Sequence, residues 1–221
     1  MTIRDGLPTA TIAGFDAVLA RVRVGGDQVA LWAVADLERH VDRRALLVAA
    51  DPPEPPYWAH LWSGALVLAE AVPRDAGAVV ELECGLGLPG LVATRRGARV
   101  TFVDRVSAPL AFVRASAETN GLGAVACVVA DAAAPALRAR VDLVLAAELL
   151  YDRAAFAPLA TALGAYLAPG GRALLADARR IDTGAFYQAL GAAGLAWRAT
   201  EHGVREEGLP LTVRLVEVVR A

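Results

Sequence analysis

From residue 78 onward, short apolar runs alternate with helical stretches, and this alternation restricts the chain more than any other feature. Apolar runs without polar alternation suit strands buried on both faces, and a helix after each strand is what a parallel sheet requires. The spacing predicts strands near 78–82, 99–104, 125–130, 141–146 and 172–177, with helices near 89–96, 107–119, 153–167 and 182–193. Residues 195–202 and 211–219, separated by Gly203 to Pro210, leave no room for a crossover helix. Those last two strands are expected to pair antiparallel.

The N-terminal part reads differently. Residues 16–34 hold two β-rich runs about Gly25-Gly26-Asp27, with Val22, Val24, Val29 and Leu31 in hairpin alternation. A short helical pattern, Leu37 to Leu47, comes next, and the prolines of residues 51–56 force an extended lead-in to Tyr57-Trp58-Ala59-His60-Leu61-Trp62-Ser63. Ser63 is expected to cap a helix whose apolar spacing ends at Pro73.

Composition removes several reaction classes. All 22 basic residues are arginine, so no side-chain Schiff base, P-loop lysine or Tyr-x-x-x-Lys pair exists. A net charge of −2 and a pI near 5.9 argue against a nucleic-acid partner. Two cysteines and three scattered histidines, His40, His60 and His202, give neither a disulfide framework nor metal-ligand spacing. The expectation is a reducing cytoplasm, no metal, and no membrane span, since no stretch of about 18 apolar residues occurs.

The run Val79-Val80-Glu81-Leu82-Glu83-Cys84-Gly85-Leu86-Gly87-Leu88-Pro89-Gly90 is a strand, a glycine loop and a helix start. Glycines there let the backbone approach a ligand, and helix N-terminal amides face its polar groups. Asp104 ends the next strand, 17 residues after Gly87, where a carboxylate can accept from both hydroxyls of a ribose. The loop also matches the dinucleotide fingerprint, and the motif alone does not choose between cofactors. Glu81 in the first strand, the long segment before the loop and the directly joined terminal strands count against a dehydrogenase. So does the lack of any substrate domain to carry a proton donor.

These residues resemble the class I S-adenosylmethionine-dependent methyltransferases through Glu81 to Gly90, Asp104, Asp131 and the terminal hairpin. Within that class, PPYWAHLWSGALVLAEAV (55–72), GLGLPG (85–90) and Ala147-Glu148-Leu149-Leu150-Tyr151 resemble the family-16 enzymes, among them those that methylate lysine of the electron-transfer flavoprotein β subunit. The fold implied is a Rossmann-like α/β domain over residues 51–221. Its sheet would be a seven-strand, mostly parallel twisted one with an antiparallel C-terminal hairpin, preceded by a small β appendage over 1–50. The resemblance sets Gly85 and Gly87 beside the methionine portion of S-adenosylmethionine, Asp104 on the ribose and Asp131 on the adenine amine. It sets Trp62 and Ala147 along the pocket. Many relatives carry glycine where this chain has Glu83, so the expectation there divides between a contact to the cofactor's ammonium and a side chain turned to solvent.

Glu148-x-x-Tyr151 corresponds to the family's acidic-x-x-aromatic motif. At the carboxyl edge of the sheet, a carboxylate would hold an incoming ammonium and help its proton leave, while the tyrosine shapes the acceptor slot. The remaining candidates have plainer readings. Tyr57 and Trp58 read as hydrophobic anchors, His60 as a structural histidine, Cys84 as packing and Asp152 as a helix cap. Arg179 and Arg180 read as solvated or as attracting an acidic partner. Three functions stay open: methylation of a protein lysine, methylation of a small-molecule amine in a closed pocket, and a cofactor-binding scaffold without turnover. A monomer is the default.

Overall fold

The computed structural model describes residues 7–41, 55–178, 180–206 and 208–221. A three-stranded antiparallel sheet comes first, in the order β1 (Thr9–Ile12), β2 (Phe15–Val24), β3 (Asp27–Val34). The Gly25 turn, at φ 54°, makes the hairpin that the valine alternation predicts. The helical pattern after Asp36 is a single 3-10 turn, Leu37–His40; the rest of that stretch and the proposed domain boundary at residue 50 lie outside the described residues.

Helix α1 (Ser63–Ala71) leads into β4 (Ala78–Leu82), α2 (Leu88–Arg95), β5 (Arg99–Asp104), α3 (Ser107–Thr119), β6 (Ala126–Val129) and β7 (Val141–Ala147). Then come α4 (Phe156–Tyr166), β8 (Leu167–Asp177), α5 (Gly184–Ala192), β9 (Leu195–Glu206) and β10 (Leu209–Arg220). The large sheet has seven strands in the order β6-β5-β4-β7-β8-β10-β9, parallel except that β10 runs antiparallel to both neighbours. The fold class and the terminal hairpin therefore agree with the expectation. Ser63 does not cap: it is the first helical residue, Trp62 holds the cap position, and neither supplies a side-chain cap bond.

Adjacent residues of the central strands feed opposite faces, as a two-residue period demands. Val79, Leu143, Leu145, Leu174 and Ala176 pack with α1, α2, α3 and the small sheet. Val80, Val144, Ala146, Ala173 and Leu175 pack with α4 and α5. The small sheet is fastened to α3 along its outer edge. Ala30 N–H donates to Asn120 Oδ1 at 3.0 Å, Asn120 Nδ2 donates back to the Ala30 carbonyl, and Trp32 N–H donates to Ser116 Oγ at 3.0 Å. A sheltered ion pair, Arg96 to Asp27 at 2.7 Å, joins the same sheet to the end of α2.

β4 and β7 are neighbours whose chains leave in opposite lateral directions, so their carboxyl ends flank a crevice. The glycine loop leaves one of these ends, and Glu148 immediately succeeds the other.

Candidate functional site

The crevice opens into a cleft of about 720 Å³, in the range of small-molecule sites. One wall is the turn from β4 into α2. Three of its residues take left-handed backbone: Glu83 at φ 46°, Gly85 at 50° and Gly87 at 71°. A Cβ on Gly85 would meet the Trp58 carbonyl oxygen at 3.0 Å, and one on Gly87 would meet Val113 Cγ2 at 2.6 Å. Glycine is thus required twice over, by conformation and by space. Gly90 is required for space alone, since a Cβ there would collide with Glu81 Oε2 and the Phe102 ring.

The cleft is strongly acidic. Glu81 is buried, accepts from Gly90 N–H at 2.8 Å, and burial pushes its carboxyl up to about 8. Asp104 is also buried; Oδ2 accepts from Gly85 N–H and Oδ1 from Val106 N–H, both at 3.0 Å. Burial raises its carboxyl above the ordinary value while those amides pull the other way. A carboxylate has about four lone-pair sites, so Asp104 keeps acceptor capacity beyond the backbone amides that hold it.

Glu83 takes the left-handed conformation despite its Cβ. Its side chain is 15% exposed and so is not turned to solvent; Arg105 Nε stands 3.7 Å from Oε2. Burial, reinforced by the nearby Asp104 charge, lifts its carboxyl to about 7.

The opposite wall is the end of β7. Ala147 lines the cleft, and Glu148 turns left-handed at φ 53° with its own N–H on the Ala176 carbonyl at 2.7 Å. Glu148 Oε1 accepts from Gly64 N–H at 3.1 Å and Oε2 from Ala178 N–H at 3.2 Å, so the carboxylate pins the start of α1 to the sheet edge. Burial raises its carboxyl, and the Ala178 amide opposes the rise. Tyr151 stands at the mouth with 54% of its surface exposed.

The roof is the segment before α1. Trp58 packs edge-on to Phe15 at 5.3 Å and against Phe112 at 5.4 Å, an anchor that also borders the cleft. His60 lies 4.3 Å from the Trp62 ring, and both line the cleft. Asp131 is placed otherwise: it lies in an adjoining lobe of about 270 Å³ that shares Glu83, Arg105 and Tyr151 with the main cleft. Cys84 is buried, and burial pushes its thiol up. Asp152 Oδ1 accepts from Ala154 N–H at 2.9 Å, capping the turn before α4.

Arg180, read from the sequence as solvated or as attracting an acidic partner, is exposed and yet committed within the chain. Its Nη2 bonds Glu206 Oε1 at 2.8 Å, its Nε stands 3.6 Å from Glu148 Oε2, and its Cζ lies 4.6 Å from the Trp62 ring centroid. Arg179 lies outside the described residues. Asp177, buried at the end of β8, also lines the cleft; its position at a strand end is the one signal by which sequence could have found it. Glu206, a member of the terminal hairpin, carries no local signal at all. Among the described residues there is no cluster of metal-ligating side chains and no helix long and apolar enough to cross a membrane.

Residues 80–175 match the family profile described as a methyltransferase domain. Among solved structures, the chain resembles magnesium protoporphyrin IX methyltransferase from Synechocystis PCC 6803 with bound S-adenosylmethionine. The TM-score is 0.57 and the identity 18%, over 71% of this chain and 76% of that one. The ribosomal protein L11 methylase from Lactobacillus delbrueckii subsp. bulgaricus gives 0.55 at 18% identity, over 71% and 76%. The glycopeptide N-methyltransferase MtfA gives 0.57 at 19%, over 72% and 96%. At these identities the likeness is one of fold. No curated protein matches in sequence.

Proposed function

We propose that this chain, whose residues 80–175 match a methyltransferase-domain profile, is an S-adenosylmethionine-dependent methyltransferase that methylates nitrogen, and that its acceptor is a lysine of another protein. The observation that carries the reading is the pairing at the cleft mouth: a sheltered carboxylate, Glu148, three residues before an exposed ring, Tyr151. Tyr57, also at the mouth and 57% exposed, widens the same rim. An open aromatic rim suits a side chain delivered by a protein surface better than a small molecule that must be enclosed.

The cleft fits the cofactor. Its glycine wall is a cradle that side chains would fill, and its carboxylates match a cationic ligand. Gly85 and Gly87 would admit the methionine portion, Glu83 would face its ammonium, Asp104 would hold the ribose, and Asp131 would reach toward the adenine amine from the adjoining lobe. Trp62 and Ala147 would border the pocket. When bound, S-adenosylmethionine would supply a sulfonium methyl to an acceptor nitrogen that has first given up a proton, the C–N bond forming as the C–S bond breaks with its electron pair left on sulfur. The chain's part is alignment and exclusion of water, with Glu148 holding the acceptor ammonium and drawing its proton away.

The test is transfer of methyl-tritiated S-adenosylmethionine label into a protein extract, then hydrolysis and amino-acid analysis. Label recovered as methyl-lysine, and reduced at least about tenfold in Glu148→Gln, supports the proposal. Label confined to small amines, or unaffected by the substitution, overturns it.

A further inference from the structure

Arg180 occupies a complete cation site inside the cleft. Below it is the Trp62 ring at 4.6 Å, within the distance at which a π face attracts a cation. On one side is Glu206 at 2.8 Å, and on the other Glu148 at 3.6 Å. We infer that Glu148, Glu206 and the Trp62 ring form the seat of the acceptor's ammonium, and that Arg180 is a tethered occupant which the acceptor displaces. The inference rests on the amine-acceptor reading above.

The seat does not depend on its present occupant. Glu148 Oε1 is fixed by Gly64 N–H at 3.1 Å and Glu206 Oε2 by Ser63 N–H at 3.2 Å, so the first turn of α1 positions both carboxylates. Trp62 is held separately by its Nε1–H on the Tyr57 carbonyl at 3.0 Å. Removing the guanidinium would leave two carboxylates with Asp177 close by, a charge that an incoming cation would compensate. A neutral acceptor offers no such compensation.

The occupant is also hinged. At 2.8 Å the link to Glu206 is a charge-assisted hydrogen bond, whereas 3.6 Å to Glu148 is beyond hydrogen-bond range and only Coulombic. Arg180 can therefore give up Glu148 and the ring while keeping Glu206. Its side chain is 41% exposed, so the space it needs on leaving is solvent. An ammonium on a flexible four-carbon stem, a compact point charge with three donors, is the group shaped to enter beside it. Glu148 then exchanges one cation for another and is never left bare, which is the costly alternative for a sheltered carboxylate.

The experiment is calorimetric titration of the full chain, saturated with S-adenosylhomocysteine, with n-butylammonium as the lysine side-chain probe and n-butanol as its neutral counterpart. Arg180→Ala is expected to bind n-butylammonium at least about tenfold tighter than the unsubstituted chain, and n-butanol no better. Adding Glu148→Gln to Arg180→Ala should abolish the gain. Arg180→Gln, which keeps a donor for Glu206, provides the same comparison if the alanine variant does not fold. No gain in either variant, or an equal gain for n-butanol, overturns the inference. Failure to bind S-adenosylhomocysteine would instead remove the reading beneath it, and the two failures are separable in the same titration.

Discussion

Gly90 N–H donates to Glu81 Oε2 at 2.8 Å in a fully buried setting, and this bond ties the middle of β4 to the first turn of α2. Because burial lifts the Glu81 carboxyl to about 8, the group is mostly protonated at neutral pH. It then behaves as a neutral acceptor, which glutamine can imitate. Glu81→Gln should leave stability at pH 7 nearly unchanged, whereas Glu81→Ala leaves the Gly90 amide buried and unpaired and should cost about 1–3 kcal/mol. Urea denaturation of the two variants checks the contrast; equal losses would show that volume and not the hydrogen bond matters.

Gly90→Ala attacks the same junction from the other side. Its Cβ would meet Glu81 Oε2 and the Phe102 ring, and the ring is fully buried with no space to yield. Overpacking of this kind costs about 1–3 kcal/mol. The melting temperature should fall, and S-adenosylhomocysteine affinity with it, because α2 carries the glycine wall.

Asp104→Ala removes the acceptor that fixes Gly85 N–H and Val106 N–H and, by the proposed pose, both ribose hydroxyls. Hydrogen bonds to a charged group contribute about 1.5–3 kcal/mol each, so affinity for S-adenosylhomocysteine should drop at least about tenfold. Calorimetry reads this directly. Unchanged affinity would displace the ribose from this residue.

The Glu83 carboxyl sits at about 7 in the folded chain against an ordinary 4.5, so the folded state holds its proton more tightly than the unfolded state does. Its contribution to stability is accordingly full below about 4.5 and is lost as pH rises through about 7. Ligand binding should run the opposite way. If Glu83 faces the cofactor's ammonium, S-adenosylhomocysteine binds more tightly as the carboxylate forms, and affinity rises between pH 6 and 8, an interval of about one unit on either side of the pKa. Glu83→Gln should flatten both profiles near pH 7. An affinity profile identical in the variant would remove the contact.

The large sheet is legible in the sequence because its strands are buried on both faces, so their apolar runs stand out between helices that end at glycine or proline. The N-terminal hairpin is legible for the complementary reason, alternation about Gly25-Gly26. Ser63 misleads because a serine before an apolar helix is a cap signal. Here the helix N-terminus is served from afar instead: Glu206 and Glu148 take the Ser63 and Gly64 amides, 143 and 84 residues away in sequence. Such bonds have no local signature. The same distance hides the commitment of Arg180, which reads as a surface arginine until β9 and α1 are brought beside it. Asp131 illustrates a different limit, since its place just beyond a strand is evident in the sequence but its position in an adjoining lobe rather than in the main cleft is not.

The reciprocal bonds between Asn120 and Ala30, with Ser116 on the Trp32 amide, have a consequence for how this molecule meets its own copies. β3 is the last strand of its sheet on that side, and a terminal strand offers its outward amides and carbonyls to any extended chain that passes. An asparagine presents a carbonyl and an amine in the arrangement of a peptide group, so Asn120 acts as one rung of a missing strand supplied by a helix. That edge of the small sheet is thereby capped at Ala30 and Trp32 by a helix end rather than by a proline, a bulge or a lysine, the last of which this chain does not possess.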